Sequence, residues 1–184
     1  MLIVFIDLYL PRNSGLERFN YLALRQFNGR SIRIKLVRGE DIPELVDREG
    51  GYGWTGNDLF YNYLASGRPR GISLVSFMAW PEEICPRLCL LGPLERDLEQ
   101  FQDKIISLVA PNKYFYLVKS YLADKEWDCS VEFLEGQVEK QIRKCQADLA
   151  IDIVYTGKTF REERLKVYDT IFDKSGLVML TKDI

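Results

Sequence analysis

Short apolar runs of strand length alternate with amphipathic stretches of helix length along most of this chain. Residues 2–10 are almost continuously apolar, which predicts a buried first strand. Residues 31–37 alternate apolar with basic side chains, as expected of a strand with one solvated face. Residues 16–27 carry apolar side chains at helical spacing. The same patterns predict strands at 52–54, 72–77, 105–110, 130–134, 147–154, 166–172 and 177–180, and helices at 41–49, 59–64, 114–122 and 138–145.

The order of these segments predicts the domain organisation. Strands that alternate with helices of about ten residues indicate βαβ units in mostly parallel sheets. The pattern restarts near Gly92-Pro93, and a pair of strands with no helix after it ends the chain. We therefore predict an α/β protein with two lobes. Residues 1–85 and 165–184 form a discontinuous first lobe, and residues 86–164 form the second.

Composition and charge narrow the class of protein. The chain has 184 residues, of which 47% are apolar, and it contains ten Phe and ten Tyr. This content is sufficient to form a hydrophobic core. The net charge is −2, and acidic and basic residues are interspersed along the sequence. The sequence therefore shows no cluster of basic residues of the kind that binds nucleic acid or a membrane surface. The first apolar run is too short to span a membrane and lacks the charged flank of a signal peptide. We expect a cytoplasmic protein.

Histidine is absent, and this limits the possible chemistry. Histidine-based catalytic triads and imidazole bases are excluded, so any reaction must use carboxylates, Lys, Tyr, backbone amides or a bound metal. The cysteines are Cys85, Cys89, Cys129 and Cys145. Their spacing and the missing histidine favour reduced structural thiols over a zinc site or disulfides.

The strongest candidate for a binding site lies within residues 147–161. An apolar strand runs into Thr156-Gly157-Lys158-Thr159, which opens a charged, helix-compatible segment. Such a turn leaves backbone amides free to bind a phosphate, and its hydroxyls and Lys158 add further donors. An ordinary turn capped by Thr156 would give the same pattern. The turn is not a Walker A motif, because Asp152 stands where that motif requires a glycine.

A second turn of the same kind, Thr55-Gly56-Asn57-Asp58, opens the helix predicted at 59–64. Ligands of α/β proteins bind outside the carboxyl ends of strands and between lobes. If the strands of the two lobes converge at these ends, both turns face one cleft. We therefore predict an anionic ligand there.

Two acidic pairs are candidates for a metal or sugar site. Asp148 and Asp152 lie four residues apart in a predicted strand, so they point to the same face and can flank a metal ion or a ribose diol. The alternative is one solvent-facing acid and one strand-end cap. Glu135 and Glu139 have the spacing of a solvated helix face. The sequence identifies no definite metal site.

The segment Ala147-Asp148-x-x-Ile151-Asp152-Ile153-Val154-x-Thr156-Gly157-x-Thr159 resembles the signature of the ATP phosphoribosyltransferases, the enzymes that open histidine biosynthesis. Other segments resemble the family in the right order: Asp41-Ile42-Pro43, Gly53-Trp54-Thr55-Gly56-Asn57-Asp58-Leu59, Gly136-Gln137-Val138-Glu139 and Ser175-Gly176-Leu177-Val178. The resemblance covers roughly Arg38 to Lys182.

This resemblance implies a two-lobed fold of the periplasmic-binding-protein type (type II), with a cleft between the lobes. It also implies transfer of phosphoribosyl from phosphoribosyl pyrophosphate to N1 of ATP, with Mg²⁺ on the leaving pyrophosphate. The residues that it implies around the phosphoribosyl group are Asp148, Asp152, Thr156, Gly157, Lys158 and Thr159, of which the last four bind the 5′-phosphate. The residues that it implies on the nucleotide side are Arg12, Thr55, Gly56 and Asp58. No side chain is required as a nucleophile, since the oxocarbenium-like state needs positioning and charge stabilisation. The chain resembles the short form, which depends on a separate regulatory subunit, so a homo- or hetero-oligomer is expected.

Departures from the family pattern define an alternative. The family's first turn is P-K-G-R-L, whereas this chain has Pro11-Arg12-Asn13-Ser14-Gly15-Leu16, in which only Arg12 can replace the lost cations. Trp54 and Tyr155 replace smaller residues beside the two turns and are expected to narrow the cleft. The alternative is a non-catalytic or acceptor-altered relative that binds a phosphorylated ligand or serves as a partner subunit.

Overall fold

The computed structural model describes residues 5–83, 85–101, 104–135, 138–144, 146–155 and 164–182. In chain order the elements are β1 (Ile6–Pro11), α1 (Ser14–Glu17), α2 (Asn20–Arg25), β2 (Ile32–Val37), α3 (Ile42–Glu49), β3 (Tyr52–Gly56), α4 (Asn57–Ala65), β4 (Ile72–Ala79), β5 (Arg87–Pro93), β6 (Ile106–Pro111), α5 (Phe115–Ala123), β7 (Cys129–Leu134), α6 (Glu139–Arg143), β8 (Leu149–Val154), β9 (Leu165–Phe172) and β10 (Gly176–Lys182). They divide between two units, residues 1–81 with 176–184 and residues 82–175.

Each unit contains one five-stranded sheet, and the two sheets have the same plan. The strand order is β2-β1-β3-β10-β4 in the first unit and β7-β6-β8-β5-β9 in the second. In each sheet the first three strands are parallel, and the fourth is antiparallel to both of its neighbours. The α/β class is therefore confirmed, but both sheets are mixed rather than mostly parallel. The antiparallel strands β5 and β10 are the strands with which the chain enters the second unit and returns to the first.

The predicted second boundary between the lobes, at residue 165, is wrong. β9 pairs with β5 through contacts such as Leu91 with Val167, so it belongs to the second sheet. β10 pairs with β3 and β4 in the first sheet. The last two strands thus do not pair with each other, and the chain returns to the first unit only at Gly176.

Most predicted helices occur, with one clear exception. The helix predicted at 16–27 is split into α1 and α2, with Arg18 and Phe19 between them. Phe19 is buried in the core, so packing of its ring, rather than helical periodicity, sets the path of the chain here. α3 ends as predicted at Gly50, whose φ of 78° is readily adopted only by glycine.

Alternating side chains of the first sheet build a core on each of its faces. Leu8, Leu10 and Trp54 pack on one face with Phe19 and other apolar residues. On the other face Tyr9, Val178 and Leu180 pack with residues of α3 and α4. Trp54 is completely buried, so it is a core residue and does not narrow a cleft as expected. The core of the second unit joins β5, β6 and β8 to α6.

Candidate functional site

The carboxyl ends of three parallel strands meet at one edge of the first sheet. Pro11 at the end of β1 pairs with Val37 at the end of β2, and β3 lies on the other side of β1. Arg12 lies in the turn after β1, and Arg38 and Glu40 lie in the turn after β2. Thr55 and Gly56, predicted to form a turn, are instead the last two residues of β3, which runs directly into α4 with Asp58 in its first turn. All four residues predicted for the nucleotide side are therefore at this edge. This edge is where open α/β sheets bind ligands.

Asn13 ties two of these turns together. Its side-chain amide donates to Glu40 Oε2 at 3.1 Å, and its Oδ1 accepts a hydrogen bond from the Gly39 amide at 2.7 Å. The buried hydroxyl of Thr55 donates to the Gly39 carbonyl at 2.8 Å, which links the end of β3 to the turn after β2. Thr55, predicted to contact the nucleotide, therefore positions the turn around Gly39.

Gly56 and Asp58 form a compact start to α4. A Cβ at Gly56 would lie 2.2 Å from Asp58 Oδ1, so only glycine lets the carboxylate come so close to the chain. Asp58 is in the first turn of α4, where the helix dipole favours a negative charge. The resemblance implies that both residues contact the nucleotide, and they lie at the carboxyl edge of the parallel strands β1, β2 and β3.

Cations and acids are mixed at this edge. Arg12 is exposed directly after β1, and Arg38 lies 3.6 Å from Glu40. Burial raises the pKa of Asp41, and the Glu40 carboxylate beside it adds to the rise. The guanidinium groups of Arg38 and Arg12 act in the opposite direction. Arg12 is thus an exposed cation at the carboxyl edge of the first sheet.

The second unit repeats this arrangement. β6 ends at Pro111 as β1 ends at Pro11, and Asn112 donates to Glu135 Oε1 at 3.1 Å, as Asn13 donates to Glu40. The paired strands correspond, because Pro111 lies opposite the last residue of β7. In this correspondence β8 is the counterpart of β3. The segments from Thr55 to Asp58 and from Thr156 to Thr159 are therefore at the ends of equivalent strands in the chain.

Sequence reasoning missed these asparagine–glutamate bridges. The signal that could have found them is an asparagine shortly after a strand-ending proline, which occurs at Asn13 and at Asn112. Each bridge holds the turn after the first strand against the turn after the second. Glu135 is exposed, as predicted, but it lies directly after β7 rather than on a helix face, and it accepts this hydrogen bond.

The predicted phosphate turn itself, Thr156, Gly157, Lys158 and Thr159, lies outside the described residues. β8, the strand that precedes this turn in the chain, is buried and paired on both sides. Residues 149–151 of β8 are completely buried, and β8 pairs with β6 on one side and β5 on the other. Its last residue, Val154, is at the carboxyl edge of the parallel strands β6, β7 and β8.

Asp148 and Asp152 do not form a joint site. Asp148 precedes β8, at the amino edge of the parallel strands, whereas Asp152 is near the carboxyl end. Four residues of extended chain span roughly 13 Å, which is too far for both carboxylates to bind one ion. Asp152 Oδ1 accepts a hydrogen bond from the Ile153 amide at 2.7 Å. Asp152 therefore has the better position for a ligand at the carboxyl edge.

Asp148 makes structural contacts at its own edge. Its Oδ1 lies 2.6 Å from Lys104 Nζ, and its Oδ2 accepts a hydrogen bond from the Ser107 amide at 3.0 Å. The Asp148 amide in turn donates to the Ser107 carbonyl at 2.8 Å. Partial burial acts to raise the pKa of Asp148, but the Lys104 and Ser107 hydrogen bonds lower it overall. Asp148 thus fastens the start of β8 to β6.

We expect acid to weaken the fold partly through Asp148 and Asp169. Burial acts to raise the pKa of Asp169, but hydrogen bonds from Tyr121 Oη, at 2.8 Å, and Lys125 Nζ, at 3.0 Å, lower it overall. A carboxylate with a lowered pKa adds stability that is present above its unfolded pKa of about 4 and is lost as the pH falls through its lower folded pKa.

This expectation can be measured by urea unfolding between neutral pH and about pH 3. The free energy of unfolding should fall less steeply with acid in a variant carrying both Asp148→Asn and Asp169→Asn than in the unchanged protein. Parallel curves for the two proteins would contradict the contribution of these carboxylates.

The described residues contain no group of three or more Cys, Asp or Glu side chains that could hold a metal ion. Cys85, Cys89 and Cys129 are free thiols, and Cys145 lies outside the described residues. Burial raises the pKa of the Cys89 thiol, which makes it unreactive. In the part of the chain that the structure describes, no helix is long and apolar enough to cross a membrane.

Residues 38–183 match the model of the family described as HisG: ATP phosphoribosyltransferase. The chain belongs to this family. An ATP phosphoribosyltransferase from Thermotoga sp. (strain RQ2) is 29% identical over 165 residues, which cover 89% of this chain and 72% of that protein. The matched range includes both predicted turns and the segment from Asp148 to Thr159. The resemblance inferred from these segments is therefore confirmed.

Solved structures show the same fold. A chain of the ATP phosphoribosyl transferase (HisG:HisZ) complex from Thermotoga maritima superposes with a TM-score of 0.76 at 23% identity, covering 97% of this chain and 87% of that one. The periplasmic aliphatic sulphonate-binding protein SsuA from Escherichia coli gives a TM-score of 0.60 at 12% identity, covering 96% of this chain and 64% of that one. At these identities the likeness concerns the fold alone, and it confirms the periplasmic-binding-protein type.

Proposed function

We propose that this chain transfers the phosphoribosyl group of phosphoribosyl pyrophosphate to N1 of ATP, the first step of histidine biosynthesis. The observation that carries this proposal is the family match over residues 38–183, which includes the segment from Asp148 to Thr159. A cytoplasmic location, where such biosynthesis takes place, belongs to the same proposal.

In this proposal the turn Thr156-Gly157-Lys158-Thr159 binds the 5′-phosphate. Its place in the chain, directly beyond the carboxyl end of β8, supports this role, because ligands of open α/β sheets bind there. Asp152, two residues before that end, is near the ribose hydroxyls and can accept hydrogen bonds from them. Asp148 is a positioning residue that acts through its contacts with Lys104 and Ser107.

The reaction is a displacement at the anomeric carbon. The lone pair of ATP N1 forms the new C–N bond, the bond from the anomeric carbon to the pyrophosphate oxygen breaks, and pyrophosphate leaves with that electron pair. The positive charge that develops on the sugar is stabilised by nearby anions, so the protein supplies position and electrostatics rather than a nucleophile.

Mg²⁺ neutralises the leaving pyrophosphate when bound. The ion binds readily to substrate phosphates together with one or two carboxylates, so it does not require a cage of protein ligands. The absence of a three-ligand acidic or thiol cluster from the described ranges is compatible with such binding. Asp152 is a carboxylate at the correct edge of its sheet for this purpose.

On the nucleotide side we propose Arg12 as the cation that meets the ATP phosphates. It is exposed at the carboxyl edge of the first sheet, directly after β1. Asn13 and Thr55 fix the turn around Gly39, and Gly56 and Asp58 shape the start of α4. These contacts give the first turn a defined structure although the family's Lys-Gly-Arg trio is absent.

We also propose that a separate regulatory subunit controls the enzyme. The structural likeness to a chain of a HisG:HisZ complex supports this partner.

The proposed activity is tested by mixing the protein with ATP, phosphoribosyl pyrophosphate and Mg²⁺ and measuring pyrophosphate release, with and without a candidate regulatory subunit. Release that requires both substrates is the expected result. If neither mixture releases pyrophosphate but calorimetry detects phosphoribosyl pyrophosphate binding, the chain is a non-catalytic relative and the proposal fails.

Substitutions of Asp152 and Asp148 are expected to affect different properties, ligand affinity for Asp152 and the stability of the fold for Asp148. Asp152→Asn is expected to weaken phosphoribosyl pyrophosphate binding by about 10- to 100-fold, because hydrogen bonds to a charged group contribute roughly 1.5–3 kcal/mol. It should leave urea unfolding nearly unchanged. Asp148→Asn should lower stability and keep the affinity within about threefold, since Asp148 lies at the opposite edge.

Calorimetry and urea unfolding of both variants check this expectation. A loss of affinity in Asp148→Asn as large as that in Asp152→Asn would show that Asp148 contacts the sugar, as the sequence alone suggested.

A further inference from the structure

A cavity of about 660 Å³ lies at the amino edge of the second sheet, and all of its lining residues belong to the second unit. Pro93, Ile142 and Leu165 give it apolar walls. This volume, and the mixture of apolar walls with a few polar groups, are typical of small-molecule sites. The six residues of β8 separate this edge from the carboxyl edge by roughly 20 Å, so the cavity is distinct from the proposed phosphoribosyl site.

Charged side chains surround the cavity, and the positive ones are in excess. The lining contains three cations, Arg96, Lys104 and Arg164, and two acids, Glu95 and Asp148. Arg164 forms an ion pair with Glu95, and Lys104 Nζ lies 2.6 Å from Asp148 Oδ1. Arg96 is exposed and forms no ion pair with an acid within the described ranges. One cation of the cavity is therefore available to an anionic ligand.

Two aromatic side chains hold Arg96 in position. Its guanidinium carbon lies 5.8 Å from the centre of the buried Phe101 ring, and Lys104 Nζ lies 5.1 Å from the same centre. The Tyr168 hydroxyl lies 2.8 Å from the Arg96 carbonyl oxygen and 3.0 Å from the Pro93 carbonyl oxygen. Because its side chain and its main chain are both held, Arg96 loses little freedom when it binds a ligand.

The backbone of Arg164 is strained at this cavity. Its φ of 57° lies in the left-handed region, and the Leu94 amide, which donates to the Arg164 carbonyl at 2.9 Å, holds the chain there. Glycine adopts this conformation without strain, and an ion pair between exposed side chains, such as Arg164 with Glu95, contributes little stability. Since strained residues are concentrated at functional sites, the arginine points to a role for its side chain at the cavity.

We infer that this cavity binds a small organic acid, with its carboxylate on the Arg96 guanidinium and its apolar body against the apolar walls. A guanidinium binds both oxygens of a carboxylate through two parallel hydrogen bonds. The single excess positive charge matches a monocarboxylate, whereas the second negative charge of a phosphate would lie near Glu95 and Asp148. The site does not depend on the proposed transferase activity.

The test is an NMR titration of the full chain with benzoate and with butyrate, two monocarboxylates whose apolar bodies differ in size. The amide signals of Ser107 and Leu165, which line the cavity, should shift and saturate with at least one of the two acids. Benzamide is the matched neutral ligand and should bind at least about tenfold more weakly than benzoate, because it lacks the charge that Arg96 recognises. Phenyl phosphate should also bind more weakly than benzoate.

Arg96→Gln should weaken the binding of the acid by about tenfold or more, since it removes the charge-assisted hydrogen bonds. Arg87→Gln is the matched control, because Arg87 is an exposed arginine at the opposite end of β5. It should change the affinity by less than about twofold.

Arg164→Gly separates a role in binding from a role in folding. The change relieves the left-handed backbone, so the urea midpoint should stay the same or rise, while the affinity for the acid should fall severalfold. A lower midpoint with unchanged affinity would overturn the role assigned to Arg164.

The inference is overturned if neither acid causes saturable shifts at Ser107 and Leu165, or if benzamide binds as tightly as benzoate. Tighter binding of phenyl phosphate would assign the cavity to a phosphate instead. Equal effects of Arg96→Gln and Arg87→Gln would show that Arg96 does not hold the ligand.

Discussion

Replacing Trp54 by alanine is expected to lower the free energy of unfolding by about 3–5 kcal/mol, the range for truncating a large buried aromatic side chain. Trp54 is completely buried at the centre of the first sheet, where it lies opposite Met179 and packs with Leu8 and Phe19. No neighbouring side chain can fill so large a cavity. Urea unfolding followed by circular dichroism measures the loss.

Trp54→Phe should cost much less, below about 1.5 kcal/mol. The indole Nε1 of Trp54 is buried without a hydrogen-bond partner among the described residues, so phenylalanine removes an unsatisfied donor while keeping much of the apolar surface. Trp127→Ala is the control, because Trp127 is only half-buried and touches Tyr121 at the edge of its ring. An equal loss in Trp54→Ala and Trp127→Ala would contradict a core role for Trp54.

Trp54 also shows why sequence reasoning about the site was limited. Its position beside the Thr55-Gly56 turn suggested a side chain that narrows the cleft. In a strand, however, neighbouring side chains point to opposite faces of the sheet. The face on which Trp54 lies is covered by Phe19 and Ala23, which are far from Trp54 in the sequence.

The positions of strands could be predicted, whereas their partners could not. β2 occupies Ile32–Val37 against a predicted 31–37, because its alternation of apolar and basic residues is a local signal. The half-buried pattern of β9 fits an edge of either sheet. Its place in the second sheet is decided by pairing with β5, which lies far away along the chain. No local feature of residues 165–172 carries that information.

The same limit applies to Asp148. Its spacing from Asp152 predicts that both point to one face of a strand, but it does not tell which end of the strand lies at the binding edge. That depends on the parallel pairing of β8 with β6, which brings Ser107 and Lys104 to Asp148. The family segment 148–159 therefore joins a positioning residue to candidate ligand-binding residues.

Thr159→Val is expected to weaken phosphoribosyl pyrophosphate binding by about 100-fold, because a hydrogen bond to a charged phosphate contributes up to roughly 3 kcal/mol. Thr159 lies outside the described residues, and its proposed role follows from the family segment that continues from β8. Valine has nearly the same shape as threonine, so the change removes the hydroxyl and little else. Calorimetric titration with phosphoribosyl pyrophosphate measures the affinity.

Thr170→Val is the matched control for this experiment. Thr170 is exposed on β9 in the same unit, and its hydroxyl contacts only the sulfur of Cys89, at 3.9 Å, among the contacts of the described residues. Valine suits a strand at least as well as threonine, so the control should keep both stability and affinity. If Thr159→Val binds as tightly as this control, the 5′-phosphate is not held by Thr159. An unchanged affinity would therefore contradict the placement of the 5′-phosphate on this turn.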